Sequence, residues 1–371
     1  MLKSSEAGTT LIDKSAPVHR YHQVKEVIRQ QVRQRKLQPG RRIGSVMELA
    51  KSFQVSKATI AKATAELIDE GVLYSEVGKG TYVADPRDKR TYTICFVVHS
   101  ADYITAPYFS QMIAGMGAVT EQNHYKLQFL TSERAVGALG GGSPYPAVKD
   151  RKWADGLIVM DNSFADEQLR RLAENRPIIV IGRRIAGANI ACVRTNNKDG
   201  TREAISYLAG LGHRRIGLII MSRKWQTEKE KVLSYQSTVR RLSLDAEPGL
   251  IVNRGLGTEG TKSALDALLA LPDRPTAILA SGDGLAFEAI HLLREKGLKV
   301  PEDISVMGFT GCLTGMVAGL PLTTMQLPIV EMGRTAADML LALINEEKIA
   351  DKDMVFTPKL VVRQSCGPRR R

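Results

Sequence analysis

The chain has 371 residues, 43% of them hydrophobic, and a formal net charge of +13. That length predicts two or three folding units, and the charge favours an anionic partner. The longest apolar runs, such as ICFVV and IIVI, are strand-sized, which excludes a membrane-spanning helix of about 20 apolar residues. The opening MLKSSEAGTT has no apolar signal core. Cys95, Cys192, Cys312 and Cys366 are scattered, without a Cys-x-x-Cys pair. Reduced thiols in a cytoplasmic protein fit that scatter better than a metal site or a disulfide framework. The charge is uneven: residues 1–90 hold 17 Lys/Arg against 10 Asp/Glu, about half of the whole excess.

Residues 1–17 read as a flexible tail. YHQVKEVIRQQV then sets Tyr21, Val24, Ile28 and Val32 on one helical face, and Pro39-Gly40 stops that helix. Ser45 can cap a short second helix with Leu49, Ala50 and Phe53 inside. Ser56 can cap a third, with Ile60, Thr64, Leu67 and Ile68 inward, Lys57, Thr59 and Lys62 outward, and Gly71 just past its end. VLYSEV and GTYV predict two short strands joined through Gly78-Lys79-Gly80. Three helices and a two-stranded hairpin predict a winged helix-turn-helix. Free N–H groups at the start of the third helix, with lysines beside them, suit phosphates and a major groove. The glycines let the wing backbone approach DNA closely, and Lys79 places a charge at its tip. The plainer alternative is a small helical domain with a solvated charged face.

The run YHQVKEVIRQQV…LQPGRRI…S…ELAKSFQVSKATIAKATAELIDEGVL…GKGTYV resembles the GntR family of bacterial transcription factors throughout residues 20–84. The resemblance implies DNA contacts from Ser45, Ser56, Lys57, Thr59, Lys62, Lys79, Gly80 and Thr81. Two departures stand out. The family's usual Pro-Ser-Glu-Arg is Gly44-Ser45-Val46-Met47 here, and an arginine common in its recognition helix is Ala61. Two base or phosphate contacts of the family are therefore missing.

ADPRDKRTY has no apolar periodicity and reads as a linker over 85–92. From Thr93 onward strands alternate with helices. TICFVV, YKLQFL, DGLIVM, PIIVIG, RRIGLII, TAILAS and ISVMGF read as strands. FSQMIAGMGAVTEQN, TREAISYLAGLG, SYQSTVRRLSL, TKSALDALLAL, LAFEAIHLLREKG and VEMGRTAADMLLALINEE read as helices. Such alternation predicts parallel sheets covered on both faces. About 270 residues predict two such lobes, with a ligand at the carboxyl ends of the strands between them.

VRTNNKDGTREAISYLAGLGHRRIGLI, TAILASGDGLAFEAIHLLREKGLKVPEDISVMGFTG, LTTMQLPIVEMGRTAADMLL and TPKLVVRQSC resemble the effector domain of the LacI/GalR family. The likeness runs over about 92–366. It implies a two-lobed periplasmic-binding-protein-like α/β fold with three crossovers, a sugar-like effector and a homodimer. A GntR head on a LacI-like body is a hybrid found among bacterial sugar regulators of the arabinose-repressor type. The effector residues implied are Tyr108, Phe109, Asp161, Asn162, Arg183, Lys231, Asp283 and Thr310. Trp225 can stack on a sugar face or cover the core. Here too there are departures: Gly282 replaces the family's Asn, Thr310 replaces an Asp that holds effector hydroxyls, and Lys231 replaces an Arg.

No nucleophile, Walker lysine or pyridoxal-phosphate motif accompanies Asp283, and the six histidines make no metal-ligand pair within one helix. The expectation is therefore a multidomain, cytoplasmic transcriptional regulator, not an enzyme, with no cofactor and no metal. Its parts are a tail (1–17), a winged helix-turn-helix (18–84), a linker (85–92), a two-lobed effector and dimerisation domain (93–366) and a basic tail (367–371). Its partners are operator DNA, a small sugar-like effector and a second copy of itself, with no membrane. A DNA-binding dimer with a degenerate cleft and a cytoplasmic solute-binding module are the alternatives.

Overall fold

The computed structural model describes residues 19–34, 36–76, 79–84, 90–101, 104–131, 154–174, 176–254, 257–312 and 320–369. The tail 1–17, Gly78, linker residues 85–89 and Arg370-Arg371 lie outside them. Two units divide the chain, Met1–Thr91 and Tyr92–Arg371.

The first unit runs α1 (Arg20–Arg33), β1 (Arg42–Gly44), α2 (Val46–Phe53), α3 (Lys57–Asp69), β2 (Leu73–Glu76) and β3 (Gly80–Val83). Ser45 and Glu48 form a reciprocal capping box on α2. Gln54 ends that helix at a φ of 53°, and Gly71, past α3, takes a φ of 71°, a left-handed turn that glycine adopts without steric cost. Val24, Ile28, Leu49, Ile60, Leu67, Leu73 and Val83 share one small core. Lys25 bonds Glu66 at 2.6 Å, and Arg29 bonds Glu70 at 2.6 Å, bracing α1 on α3. The wing differs from the expected hairpin. It has three strands in the order β1-β3-β2, because Arg42 and Gly44 pair antiparallel with Tyr82 and Thr81.

The second unit holds two six-stranded sheets. Lobe one contains β4 (Thr93–Val98), β5 (Lys126–Thr131), β6 (Gly156–Met160), β7 (Ile178–Ile181), β8 (Ala191–Thr195) and β14 (Asp353–Phe356). They lie in the order β14-β8-β7-β6-β4-β5, all parallel. Its helices are α4 (Pro107–Gln122), α5 (Asp166–Ala173) and, much later in the chain, α10 (Ile329–Ile344). Lobe two contains β9 (Ile216–Ile220), β10 (Ile251–Asn253), β11 (Ala277–Ala280), β12 (Ser305–Thr310), β13 (Thr323–Gln326) and β15 (Lys359–Val361). Their order is β10-β9-β11-β12-β13-β15, with only β15 antiparallel. Around them lie α6 (Asn197–Gly210), α7 (Gln226–Arg241), α8 (Gly257–Leu269) and α9 (Asp283–Glu295). Strands β4, β6 and β7 are buried at every position, as two-sided cover demands.

The chain passes between the lobes after β8, after β13 and between β14 and β15. Several of these connecting elements are short. The sequence reading did not include β8, β10, β13, β14, β15 or α5, each of eight residues or fewer.

Helices α4 and α10 touch backbone to backbone. A Cβ on Gly115 would lie 2.0 Å from the Val330 carbonyl oxygen, and one on Gly333 would lie 2.2 Å from that of Met112. Both helices begin beside the cleft, so this contact sets how the lobe-one rim is held. Gly115→Ala must push the helices apart, and overpacking of this kind typically costs about 1–3 kcal/mol. Chemical denaturation of the full chain should show a loss of that size. An unchanged midpoint would mean that the two backbones are not in contact.

Candidate functional site

The first unit carries the predicted DNA face. Ser56 caps α3: its hydroxyl accepts from the Thr59 N–H at 3.1 Å and lies 2.8 Å from the Thr59 hydroxyl. Both predicted contact residues are thus engaged with each other. Lys57 and Lys62 are exposed on the opposite face from Ile60, Ala63 and Leu67. The Lys62 ammonium sits 4.0 Å over the Tyr21 ring, a cation–π contact that fixes its stem against α1. Lys79 is 72% exposed at the wing turn and pairs with Glu76 at 3.1 Å. Thr81 differs from its neighbours: it is only 5% exposed, in the middle of the small sheet, so its hydroxyl is not on the surface.

Arg42 and Glu48 belong to this face although the sequence reading passed over them. Arg42 donates from Nε to the Lys79 carbonyl at 2.9 Å and from Nη2 to Glu48 at 3.0 Å. Glu48 also accepts the Ser45 N–H at 2.6 Å, and that bond holds its carboxyl below the usual range. The wing turn is therefore tied to the start of α2. Gly80 has a φ of 123°, and a Cβ there would meet Arg42 Nε at 2.8 Å. A Ser-x-x-Glu spacing at 45–48 was the readable signal.

The second unit gathers most of the predicted effector residues at the carboxyl ends of its strands. Asp161 follows β6 and is 9% exposed. Burial pushes its carboxyl up to about 6. Thr227, at the start of α7 in lobe two, donates to Asp161 Oδ2 at 3.3 Å. Gln111 on α4 donates to the Cys312 carbonyl of lobe two at 2.6 Å. These two hydrogen bonds join the lobes. Arg183 donates to the Asp161 carbonyl at 3.2 Å and the Phe164 carbonyl at 3.1 Å, and pairs with Asp166. Burial, then the Asp161 charge, raises the Tyr108 phenol. Asn162, next to Asp161, has a buried Oδ1 with no hydrogen-bond partner among the described residues.

On the lobe-two side, Lys231 is buried. It donates to Glu228 at 2.9 Å and to the Ser281 carbonyl at 2.9 Å, with its ammonium 4.7 Å from the Phe309 ring centroid. Glu228 lies one turn back on the same helix face and holds the ammonium. Asp283 accepts from the Thr324 hydroxyl at 2.6 Å, and Gly308 leaves the room this needs. Thr310 has a φ of 132° and points its hydroxyl at Cys312 Sγ, 3.2 Å away. Phe109 is partly buried and packs on the lobe-one core, its ring 6.5 Å from that of Phe96. Trp225 is half-buried at the N-cap of α7, two residues before Thr227.

A helix-turn-helix with a basic, capped third helix, joined to a two-lobed α/β fold with parallel sheets, defines the class of architecture. The profile described as bacterial regulatory proteins, gntR family, matches residues 20–83. The profile described as periplasmic binding protein-like domain matches residues 205–366. The chain therefore joins a domain matched by the gntR-family model to one matched by the periplasmic-binding-protein-like model, and relatives similar to it over most of its length are named transcriptional repressors. It is 27% identical over 368 residues to the arabinose metabolism transcriptional repressor of Geobacillus stearothermophilus, covering 95% of this chain and 99% of that one. It is 26% identical over 264 residues to the ribose operon repressor of Haemophilus influenzae, covering 70% and 77%. Among solved structures, transcription regulator CcpA of Lactococcus lactis superposes with a TM-score of 0.65 at 22% identity, over 75% of this chain and all of that one. The CelR–cellobiose complex superposes with a TM-score of 0.64 at 23% identity, over 85% and 93%. Those two likenesses concern the fold. Among the described residues no helix is long and apolar enough to cross a membrane.

The raised Asp161 carboxyl has a stability consequence. Its folded value, about 6, exceeds the ordinary 3.8, so folding favours the protonated form. Stability from this group is full below about pH 4 and is lost as pH rises through about 6. Asp161→Asn is uncharged throughout and should remove that loss, gaining up to about 3 kcal/mol on the parent by pH 7. Urea denaturation at a series of pH values checks this. Parallel curves for parent and variant would show that Asp161 does not titrate in this range.

Proposed function

We propose that this protein is a sequence-specific DNA-binding repressor of a carbohydrate-metabolism operon, governed by a small sugar-like effector held between the lobes of its second unit. The observation that carries the reading is the exposed lysine face of α3, beside a Ser56-capped helix start, in a chain that also carries a two-lobed sensor fold. Backbone N–H groups and lysines at such a helix suit phosphates, and the wing adds Lys79. Arg42 and Glu48 act as positioning residues for that wing. The repressors that this chain resembles over most of its length regulate arabinose metabolism and the ribose operon.

In this reading the protein works in the cytoplasm, as a homodimer whose two heads meet a roughly palindromic operator. The effector binds one arrangement of the lobes better than the other, and that difference changes operator affinity. A cleft that no longer binds a ligand is the competing reading, motivated by Gly282 and Thr310. In that case sugars would leave DNA binding as it was.

Replacing Lys57 and Lys79 together by Ala tests the head. Each phosphate contact removed lowers the slope of log affinity against log salt by about 0.9, so the double variant should lose about 2 from the slope and bind every DNA more weakly. Fluorescence anisotropy over a salt series reads both. A slope equal to the parent's would remove these lysines from the interface.

A further inference from the structure

The face that α3 offers to a major groove is short of hydrogen-bonding side chains. Its exposed positions are Lys57, Ala58, Ala61, Lys62, Ala65 and Asp69. Arg, Asn and Gln, which read guanine and adenine edges with two hydrogen bonds, occur nowhere in the helix. The Thr59 hydroxyl is turned on that of Ser56, 2.8 Å away. The Lys62 ammonium lies over the Tyr21 ring, and Glu66 is paired with Lys25. Lys57 stands at the first helical position, where a phosphate is met. Asp69 closes the helix at its far end.

What the face does offer is methyl groups. Ala58, Ala61 and Ala65 recur at spacings of three and four, so they form one row along the helix, beside Lys57 and Lys62. Met47, in the first turn of α2, is 63% exposed, the one large apolar side chain so exposed among the described residues of the first unit. Its neighbour Glu48 is tied through Arg42 to the Lys79 carbonyl, so the start of α2 and the wing turn are held together. Of the groups that base pairs present in a major groove, the thymine C5 methyl is the apolar one.

We propose that α3 reads its operator by methyl contact, with Ala58 and Ala61, near the helix start, packed against thymine C5 methyl groups while the lysines hold phosphates. This rests on the DNA-binding reading given under Proposed function. The first residues of a recognition helix are the ones that reach base edges. Guanine would present its O6 and N7 acceptors there, and an alanine side chain has no donor for them. Thymine is preferred because a methyl packs on a methyl.

The test uses the full-length protein and begins with selection of binding sites from a random duplex library. Each thymine of the selected half-site is then exchanged for deoxyuridine, which lacks only the C5 methyl, and affinity is read by fluorescence anisotropy at fixed salt. Burying one methyl contributes about fourfold in affinity, so at least one thymine in each half-site should lose about that factor. The loss at the thymine under Ala61 should vanish in Ala61→Gly, because the protein's methyl is then gone as well. Both DNAs are compared on one protein, so a general weakening of the helix by glycine cancels. Ala61→Arg, which keeps helix propensity, should move the selected base at that position from thymine to guanine. Deoxyuridine tolerated at every position overturns the proposal. An equal loss in the parent and in Ala61→Gly overturns the part given to Ala61, as does thymine still selected by Ala61→Arg. Should the glycine variant not fold, the selection with Ala61→Arg decides that part. A selection that enriches no sequence overturns the sequence-specific DNA reading and this inference together, whereas an enriched site indifferent to deoxyuridine overturns this inference alone.

Discussion

Parallel strands must be joined by crossovers rather than by tight turns, and that constraint decides where this chain can hold a ligand. Most of the described returns run through a helix on a face of the sheet, and the loops at the carboxyl ends of the strands are left open. Two such sheets, exchanged three times by the same chain, bring their open ends together. Asp161 after β6, Ser281 after β11 and Thr310 at the end of β12 are the outcome. Everything proposed about sensing depends on that arrangement.

The polar groups at those ends are unevenly satisfied, and the imbalance carries the chemistry. Thr227→Asp161 and Gln111→Cys312 join the lobes by hydrogen bonds between partly buried groups. Such bonds contribute about 1 kcal/mol each, weak enough for a ligand with several hydroxyls to compete or to add to them. Lys231 and Glu228, in contrast, form a buried pair whose members cannot be separated cheaply. The interlobe contacts are thus single hydrogen bonds, whereas the Lys231–Glu228 contact is a buried ion pair. Behind the lips, the glycine-lined approach of α4 and α10 fixes lobe one as one block.

Much of this was legible in the sequence, for physical reasons that differ by element. Helix α3 was readable because Ser56 caps it and Ile60, Thr64 and Leu67 repeat at helical spacing. The buried strands were readable because two-sided cover requires unbroken apolar runs such as IIVI. Strand β1 was not: Arg42–Gly44 is three residues long and exists only through pairing with β3. Thr81 was named as a DNA contact by the family resemblance alone, yet it lies on the middle strand of the sheet, paired on both sides and buried. The Lys231–Glu228 pair was hidden most deeply. An i, i+3 pair of opposite charges on a helix normally reads as a solvated face, and only the tertiary structure places Ser281 and Phe309 over it. The three crossovers came from family likeness alone, since β14 and β15 are too short to announce themselves.

The proposed function requires that one chain couple an effector cleft to a DNA-binding head. The most direct test is an anisotropy titration of operator DNA with the full-length protein, with and without a saturating neutral sugar that calorimetry has shown to bind. Coupling of the usual size, about 1–3 kcal/mol, predicts a change in operator affinity of about 5- to 150-fold. By reciprocity, operator DNA must change sugar affinity by the same factor. An operator affinity that stays the same while the sugar is demonstrably bound would contradict the claim.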